Sequence, residues 1–381
     1  MIALRAPGMR NNGHAPLRRR PAQNQQPDVE AFKSMMQTNQ RIDFRSDTVT
    51  KPSQAMRESM AFAEVGDDVY GEDPTVIELE ELAASMLGTE SSLFVSSGTQ
   101  GNLLALLTHC QRGDEYIVGH NMHSYRSEAG GAAVLGGIQP QPLEADDGVP
   151  DVAAIEAAIK PDDFHYARTR LVCLENTQSG QVLDQKYMRA VSNMTHSHGL
   201  SVHLDGARIF NAAVKTGRPV SEVVEGADSI SVCLSKGLGA PAGTVLCGTA
   251  AFVHEARRAR KMLGGGMRQS GILAAAGIYA LRHNVERLAE DHANALALAE
   301  GLANCLEGTG IAHIDLTRTV TNMAFLDIAP AHRQALRAHL SQRGILISGK
   351  DPVRLVTHLD VSSQQISQTV EAVAEYVRET S

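Results

Sequence analysis

An acid and a lysine in the middle of the chain each follow a strand-like run. Residues 201–204 and 229–234 are apolar and β-branched, which is typical of buried strands. The first run ends at Asp205, with Arg208 shortly after it, and the second is followed by Ser235 and Lys236. The carboxyl ends of the strands in an open α/β sheet border the ligand crevice. We therefore expect Asp205, Arg208 and Lys236 to converge on one bound molecule.

A strand, a glycine turn and a helix occur earlier in the chain. Residues 92–95 predict a short buried strand, residues 96–102 a turn that contains Gly98 and Thr99, and residues 103–110 an apolar helix. Free N–H groups at the start of a helix, together with its dipole, favour a bound dianion such as phosphate. Pyridoxal phosphate needs a phosphate site, a lysine and an acid paired with its ring nitrogen, so these features together indicate that cofactor.

The elements that must position these residues alternate along the chain. Strands are predicted at 116–118, 138–141 and 171–174, and helices at 124–135, 152–159 and 185–196. Repeated βα units predict an α/β fold with a mainly parallel sheet that is covered by helices on both faces. Two loops carry further polar residues: residues 65–74 include Tyr70, and a glycine run at 264–266 lies between Lys261 and Arg268.

We predict two domains and a tail. Residues 41–277 form the larger domain and residues 278–381 a smaller α+β domain, with a long helical run at 272–306 between them. Residues 1–40 are rich in Arg, Pro, Asn and Gln and contain no acid before Asp28. This composition predicts a disordered tail, or a start codon that has been assigned too early.

Composition excludes several functional classes. A net charge of -8 and the lack of basic residues interleaved with aromatics argue against nucleic-acid binding. No apolar run approaches the roughly twenty residues needed to span a bilayer. Five widely spaced cysteines predict buried thiols in a reducing cytoplasm. No cluster of histidines and carboxylates at metal spacing is evident, so we expect no metal site.

The chain resembles the low-specificity L-threonine aldolases, which are fold type I pyridoxal-phosphate enzymes of the aspartate aminotransferase superfamily. The resemblance extends from Ile42 to the C-terminus and rests on five long motifs. These motifs lie at residues 45–50, 65–71, 203–208, 234–239 and 264–269. It implies a mainly parallel seven-stranded sheet in the larger domain, and retro-aldol cleavage of β-hydroxy amino acids to glycine and an aldehyde.

The resemblance also implies a role for each candidate residue. Lys236 carries the cofactor, Asp205 pairs with its ring nitrogen and His123 stacks on its ring. The remaining cofactor contacts are assigned to Gly98, Thr99, Ser235 and Arg208, with Lys261 and Arg268 reaching the phosphate of a neighbouring subunit. The residues predicted to bind the substrate are Ser46, Tyr70, Arg208 and Arg354. His165 is predicted to lie beside the substrate hydroxyl. Shared sites of this kind imply a homo-oligomer, a dimer or a dimer of dimers.

Three alternatives remain at this point. A phenylserine aldolase or a serine hydroxymethyltransferase-like enzyme would share the cofactor site and differ in its substrate pocket. A nucleotide-binding enzyme is disfavoured, because neither a P-loop nor a Gly-x-Gly-x-x-Gly sequence after a strand stands out. A cofactor-free binding protein that keeps the same fold is the third alternative.

Overall fold

The computed structural model describes residues 41–145 and 148–380, so the predicted disordered tail at 1–40 lies outside the described residues. The strands are β1 Ile42–Asp43, β2 Ser91–Val95, β3 Asp114–Gly119, β4 Gln139–Leu143, β5 Arg168–Glu175, β6 Ser201–Asp205, β7 Ser229–Cys233, β8 Thr244–Gly248, β9 Ala312–Ile314, β10 Met323–Ile328, β11 Ile345–Leu346 and β12 Val353–Val356. The helices are α1 Gln54–Ala61, α2 Pro74–Leu87, α3 Gly98–His109, α4 His123–Arg126, α5 Val152–Ala158, α6 Gln185–Ser197, α7 Ile209–Thr216, α8 Val220–Val223, α9 Ala250–Met262, α10 Gly271–His283, α11 Leu288–Leu306, α12 Arg333–Gln342 and α13 Ser363–Thr380.

A seven-stranded sheet forms the centre of the fold, with strand order β2-β8-β7-β6-β5-β3-β4. Five neighbouring strands run parallel to one another, namely β4, β3, β5, β6 and β7. Strand β8 is antiparallel to both β7 and β2. The inner strands are buried almost throughout, which explains their continuous apolar runs. The predicted α/β class and the mainly parallel seven-stranded sheet are confirmed.

Two helix predictions are wrong. The run at 124–135 is not one helix, because α4 ends at Arg126 and a short π-helical segment occupies Ala132–Gly136. Ala129 and Gly130, between them, have φ angles of 54° and 68°, which a right-handed helix cannot accommodate. The run at 272–306 is likewise divided, since α10 ends at His283 and α11 begins at Leu288.

The C-terminal part of the chain builds a second core. Strand β10 pairs antiparallel with β9 and β12, while β1 pairs in parallel with β11. Ile42 and Phe44, near the start of the described chain, are buried in this C-terminal core together with Leu326 and Leu340. The domain boundary at 277/278 remains a prediction. Among the described residues, no helix combines the length and the apolar character that crossing a membrane requires.

Candidate active site

Four neighbouring parallel strands bring polar residues to one edge of the sheet. In the spatial order β3-β5-β6-β7, these strands are followed by His123, end at Glu175, end at Asp205, and are followed by Lys236. Parallel strands present their carboxyl ends on the same side, so the four side chains meet at the crevice that the sequence predicted. The structure thus brings Asp205 and Lys236 into one region together with His123.

Asp205 is a buried carboxylate that receives one N–H donor on each oxygen. Its Oδ1 accepts from the backbone N–H of Ala207 at 3.0 Å, and its Oδ2 accepts from Nδ2 of Asn102 at 2.8 Å. Only 4% of Asp205 is exposed. Each carboxylate oxygen has two lone pairs, so each can accept one further donor, such as a protonated ring nitrogen.

His123 is oriented by a buried acid. Its Nδ1 lies 2.9 Å from Oε1 of Glu128, and its backbone N–H donates to Oε2 of Glu175 at 2.7 Å. The hydrogen bond to Glu128 raises the pKa of His123, whereas burial raises the pKa of Glu128. The imidazole is 43% exposed, so part of it is accessible to a ligand while Nδ1 is hydrogen-bonded to Glu128.

His123, Glu128 and Asp205 hold ligand atoms within 4.8 Å of one another, a spacing that the sequence did not reveal. A metal ion could bridge such a set by chemistry alone. Here Glu128 Oε1 and Asp205 Oδ2 already accept hydrogen bonds from Asn102. Because an amide already donates to both of these oxygens, the cluster is better suited to contact an organic cofactor than to bind a cation.

Lys236 is half-buried, and within residues 41–145 and 148–380 its ammonium makes no hydrogen bond or salt bridge. Its charge nevertheless acts on His123 and Glu175. The pKa values of both groups are raised overall, and the positive charge of Lys236 reduces that rise. The hydroxyl of Thr50 is shared between the carbonyl oxygens of Asp47 and Lys236, at 2.9 and 3.0 Å. The segment after β1 is therefore hydrogen-bonded to the backbone of the loop that carries Lys236.

Arg208 is locked in a buried ion pair. Its Nε and a terminal nitrogen donate to the two carboxylate oxygens of Asp47 at 2.8 and 2.6 Å. Although burial alone would raise the pKa of Asp47, Arg208 holds it well below its usual range. One edge of the guanidinium is thus committed to Asp47, a residue to which the sequence had assigned no role.

Arg354, on β12, is the freer of the two predicted carboxylate-binding arginines. Burial and the neighbouring Arg208 lower its pKa, so the two guanidinium groups lie in one region. Within the described part of the chain, the guanidinium of Arg354 makes no hydrogen bond or ion pair. Because the hydrogen bonds of Asp47 go to Arg208 and not to Arg354, the guanidinium of Arg354 is available for a substrate carboxylate.

Glu175 is a site residue that the sequence reading missed. Burial and the nearby Asp205 raise its pKa from 4.5 to about 7. The signal was available, because Glu175 follows the predicted strand at 171–174 just as Asp205 follows its own strand. Asn102 and Glu128 gave weaker signals, since each is an ordinary polar residue within or beside a helix.

The start of α3 has the features of a phosphate site. Gly98 and Thr99 are its first two residues, whose N–H groups have no acceptor within the helix. A Cβ atom on Gly265 would lie 2.3 Å from Nε2 of Gln100, so the glycine run packs directly against this turn. Ser235, beside Lys236, is half-buried, and its Oγ lies 3.3 Å from Sγ of Cys233.

The remaining predicted residues lie on exposed segments or make local contacts. His165 is 67% exposed, and its hydrogen bonds among the described residues go to Asp163 in its own loop. Tyr70 is 76% exposed. Ser46 caps a short helical turn by accepting from the N–H of Thr48. The hydrogen bonds of His165 and Tyr70 in the described chain do not reach Lys236 or Asp205, whereas the hydroxyl of Ser46 donates to Oδ1 of Asp47, the partner of Arg208, at 3.4 Å.

The two cations around the glycine run also lie at the surface. Lys261, near the end of α9, is exposed. Arg268 is 55% exposed and pairs with Asp67 of its own chain at 2.7 Å. Their predicted contact with the phosphate of a neighbouring subunit therefore remains a prediction.

Comparison with known proteins gives a consistent result. A model of the beta-eliminating lyase family matches residues 43–330. The low specificity L-threonine aldolase of Escherichia coli K12 is 52% identical over 86% of this chain and 96% of its own length. The low-specificity L-threonine aldolase 1 of Arabidopsis thaliana is 44% identical over 86% of this chain and 94% of its own length. A threonine aldolase structure from Leishmania major shares the fold, with a TM-score of 0.76, 21% identity and coverage of 88% of this chain and 99% of its own.

Proposed function

We propose that this chain, which belongs to the low-specificity L-threonine aldolase family, cleaves L-threonine, L-allo-threonine and related β-hydroxy-α-amino acids to glycine and an aldehyde with pyridoxal phosphate as cofactor. The observation that carries the proposal is the meeting of Lys236, Asp205 and His123 at one edge of the sheet. The pyridine nitrogen needs an acid, the aldehyde carbon needs a lysine and the phosphate needs free N–H groups, and the presence of all three groups in this chain supports the proposal.

The residues present fit this cofactor. Asp205 has unused acceptor capacity and is shielded from water, which suits a charge-assisted bond to a protonated ring nitrogen. Gly98 and Thr99 offer N–H groups at the positive end of α3, and Ser235 adds a hydroxyl. Pyridoxal phosphate, when bound, accepts the electron pair of the bond that breaks beside the amino group.

The protein residues divide the other tasks among them. Arg354, with the Asp47-anchored Arg208 beside it, would bind the substrate carboxylate and so determine which bond to Cα is placed to break. Ser46 and Tyr70 complete the substrate contacts. His165, or a water that it positions, removes the proton of the substrate hydroxyl, the Cα–Cβ bond breaks and the aldehyde leaves. A proton returned to Cα then gives glycine.

We also propose the setting in which the enzyme works. Lys261 and Arg268 reach the phosphate of a neighbouring subunit, so the active protein is a dimer or a dimer of dimers. The exposure of both residues beside the glycine run supports this arrangement. All five cysteines are free thiols, which suits a reducing cytoplasm. Light scattering on a Lys261→Ala/Arg268→Ala variant, together with its cofactor affinity, separates loss of assembly from loss of phosphate contacts.

Aldehyde release tests the reaction directly. Purified protein is incubated with L-threonine, L-allo-threonine and L-phenylserine, and the aldehyde formed is measured with wild type and with Lys236→Ala. We expect visible cofactor absorbance and aldehyde from wild type, and neither lysine-bound absorbance nor turnover from the variant. Release from phenylserine alone would favour a phenylserine aldolase. Tetrahydrofolate-dependent turnover of serine alone would favour a hydroxymethyltransferase. A protein without cofactor absorbance would be a binding protein on the same fold.

A further inference from the structure

A buried amide lies between the two acids of the site. Nδ2 of Asn102 donates to Oδ2 of Asp205 and to Oε1 of Glu128, both at 2.8 Å. Oε1 of Glu128 also receives the bond from His123. Only 1% of Asn102 is exposed, so water cannot replace either bond. One side chain on α3 therefore touches both the acid assigned to the ring nitrogen and the acid that orients the stacking histidine.

A chain of buried side chains continues behind this amide. Oδ1 of Asn102 lies 3.1 Å from Nε2 of His203, and Nδ1 of His203 lies 2.9 Å from Oγ of Ser229. Ser229 is also 2.9 Å from Nε2 of His109. His203 and Ser229 are both 0% exposed. The proposed reaction uses none of these groups, yet they lie beneath its acid.

The hydrogen atoms in this series of hydrogen-bonded side chains can be assigned by counting donors and acceptors. Both N–H groups of Asn102 are used by the carboxylates, so its Oδ1 can only accept, and Nε2 of His203 must carry a proton. Burial and the neighbouring His109 lower the pKa of His203 to about 4, so the ring is neutral and its Nδ1 accepts. Ser229 then donates its single hydrogen to Nδ1 and accepts from His109. In this series of hydrogen-bonded side chains, every donor points towards the carboxylates.

We propose that Asn102 is a positioning residue for both Asp205 and His123. The His203–Ser229 pair behind it fixes the orientation of its amide, because a flipped amide would turn its oxygen towards two carboxylates and its N–H groups towards another donor. Aligned hydrogen bonds in a dry interior polarise one another, which strengthens the donor that Asp205 receives. That donor holds the Asp205 carboxylate in the position from which it can accept a protonated ring nitrogen.

This inference rests on the proposed function for its effect on turnover, but its structural content can be tested without the cofactor. Nitrogen NMR of isotope-labelled histidine in the cofactor-free protein reports which ring nitrogen carries the proton. We expect His203 to be a neutral imidazole protonated on Nε2. In a Ser229→Ala variant Nδ1 loses its donor, but Oδ1 of Asn102 still requires a proton on Nε2, so the tautomer should stay the same. A wild-type His203 protonated on Nδ1 would overturn the assignment.

Kinetics of three holoenzyme variants test the positioning role. His203→Leu removes the donor to Asn102, whereas His203→Gln keeps one donor and one acceptor. We expect His203→Leu to lower kcat about 5- to 150-fold, the range for a buried amide oxygen that is left without its donor, with KM changed less than about threefold. His203→Gln should recover most of this loss. His339→Leu, which replaces another buried histidine in the C-terminal core, should keep wild-type kcat.

The outcomes separate the two proposals. Wild type and His339→Leu that lack cofactor absorbance or aldehyde release would count against the proposed function itself. If both are active and His203→Leu has the same kcat as His339→Leu, the positioning role is wrong. Should His203→Leu fail to fold, the Ser229→Ala tautomer measurement and the kcat of His203→Gln still decide the matter. A His203→Gln variant with no measurable kcat would also contradict the positioning role.

Discussion

The buried pair between Asp47 and Arg208 gives the sharpest stability prediction. Asp47 is 0% exposed, and the pair contains two charge-assisted hydrogen bonds of 2.8 and 2.6 Å. Replacing Asp47 by alanine leaves a buried guanidinium without its counter-charge. Removing one partner of a buried ion pair costs about 3–5 kcal/mol, so we expect Asp47→Ala to lose that much free energy of unfolding.

A double-mutant cycle isolates the interaction from the cost of each substitution. The Asp47→Ala/Arg208→Met variant leaves no buried charge alone, so it should be clearly more stable than the sum of its single variants predicts, with a coupling of about 3 kcal/mol. Denaturant unfolding of the cofactor-free protein at neutral pH measures all four corners. The Arg282–Glu78 pair, with both side chains 50% exposed, is the matched control and should show a coupling below about 1 kcal/mol.

Two results would refute the reasoning about this pair. The first is an Asp47→Ala variant that loses less than about 1 kcal/mol, because a buried unpaired guanidinium would then carry no penalty. The second is strict additivity in the cycle, which would mean that Asp47 and Arg208 stabilise the protein through separate contacts. Either result would also return Arg208 to the role of an unanchored substrate ligand.

Two further predictions concern charged groups at the crevice. The pKa of Glu175 is raised from 4.5 to about 7, so the folded protein binds more protons than the unfolded chain between these values, and stability of the cofactor-free form should fall as pH rises through them. The loss is roughly 3 kcal/mol, and Glu175→Gln should abolish it in melting curves across that window; an unchanged slope would contradict the shift. Arg354→Gln should raise KM for L-threonine by about 10- to 100-fold, since one charge-assisted contact to the substrate carboxylate is lost. An unaltered KM in initial-rate assays would remove Arg354 from the substrate site.

Local sequence patterns were sufficient to select the residues that we propose for the cofactor. Asp205 and Lys236 follow apolar β-branched runs, and the direction of parallel strands then places both residues at one edge. Gly98 and Thr99 open a helix after a strand, which is a local arrangement as well. The same rule would have found Glu175 had it been applied to the strand at 171–174. The break within 124–135 left a signal in the Gly130–Gly131 pair that the helix prediction did not use, whereas the left-handed conformation of Ala129 leaves none in its residue type.

The pairing of buried polar groups was decided only by the tertiary structure. Asp47 meets Arg208 across 161 positions of sequence, and Asn102 meets Asp205 across 103. A buried polar group must find a partner, but nothing in its own neighbourhood says which one, because that choice depends on how distant elements pack. The sequence alone therefore determined which residues could hold the cofactor. The tertiary structure decided that Arg208 is anchored by Asp47, and that one amide on α3 joins the two acids of the site.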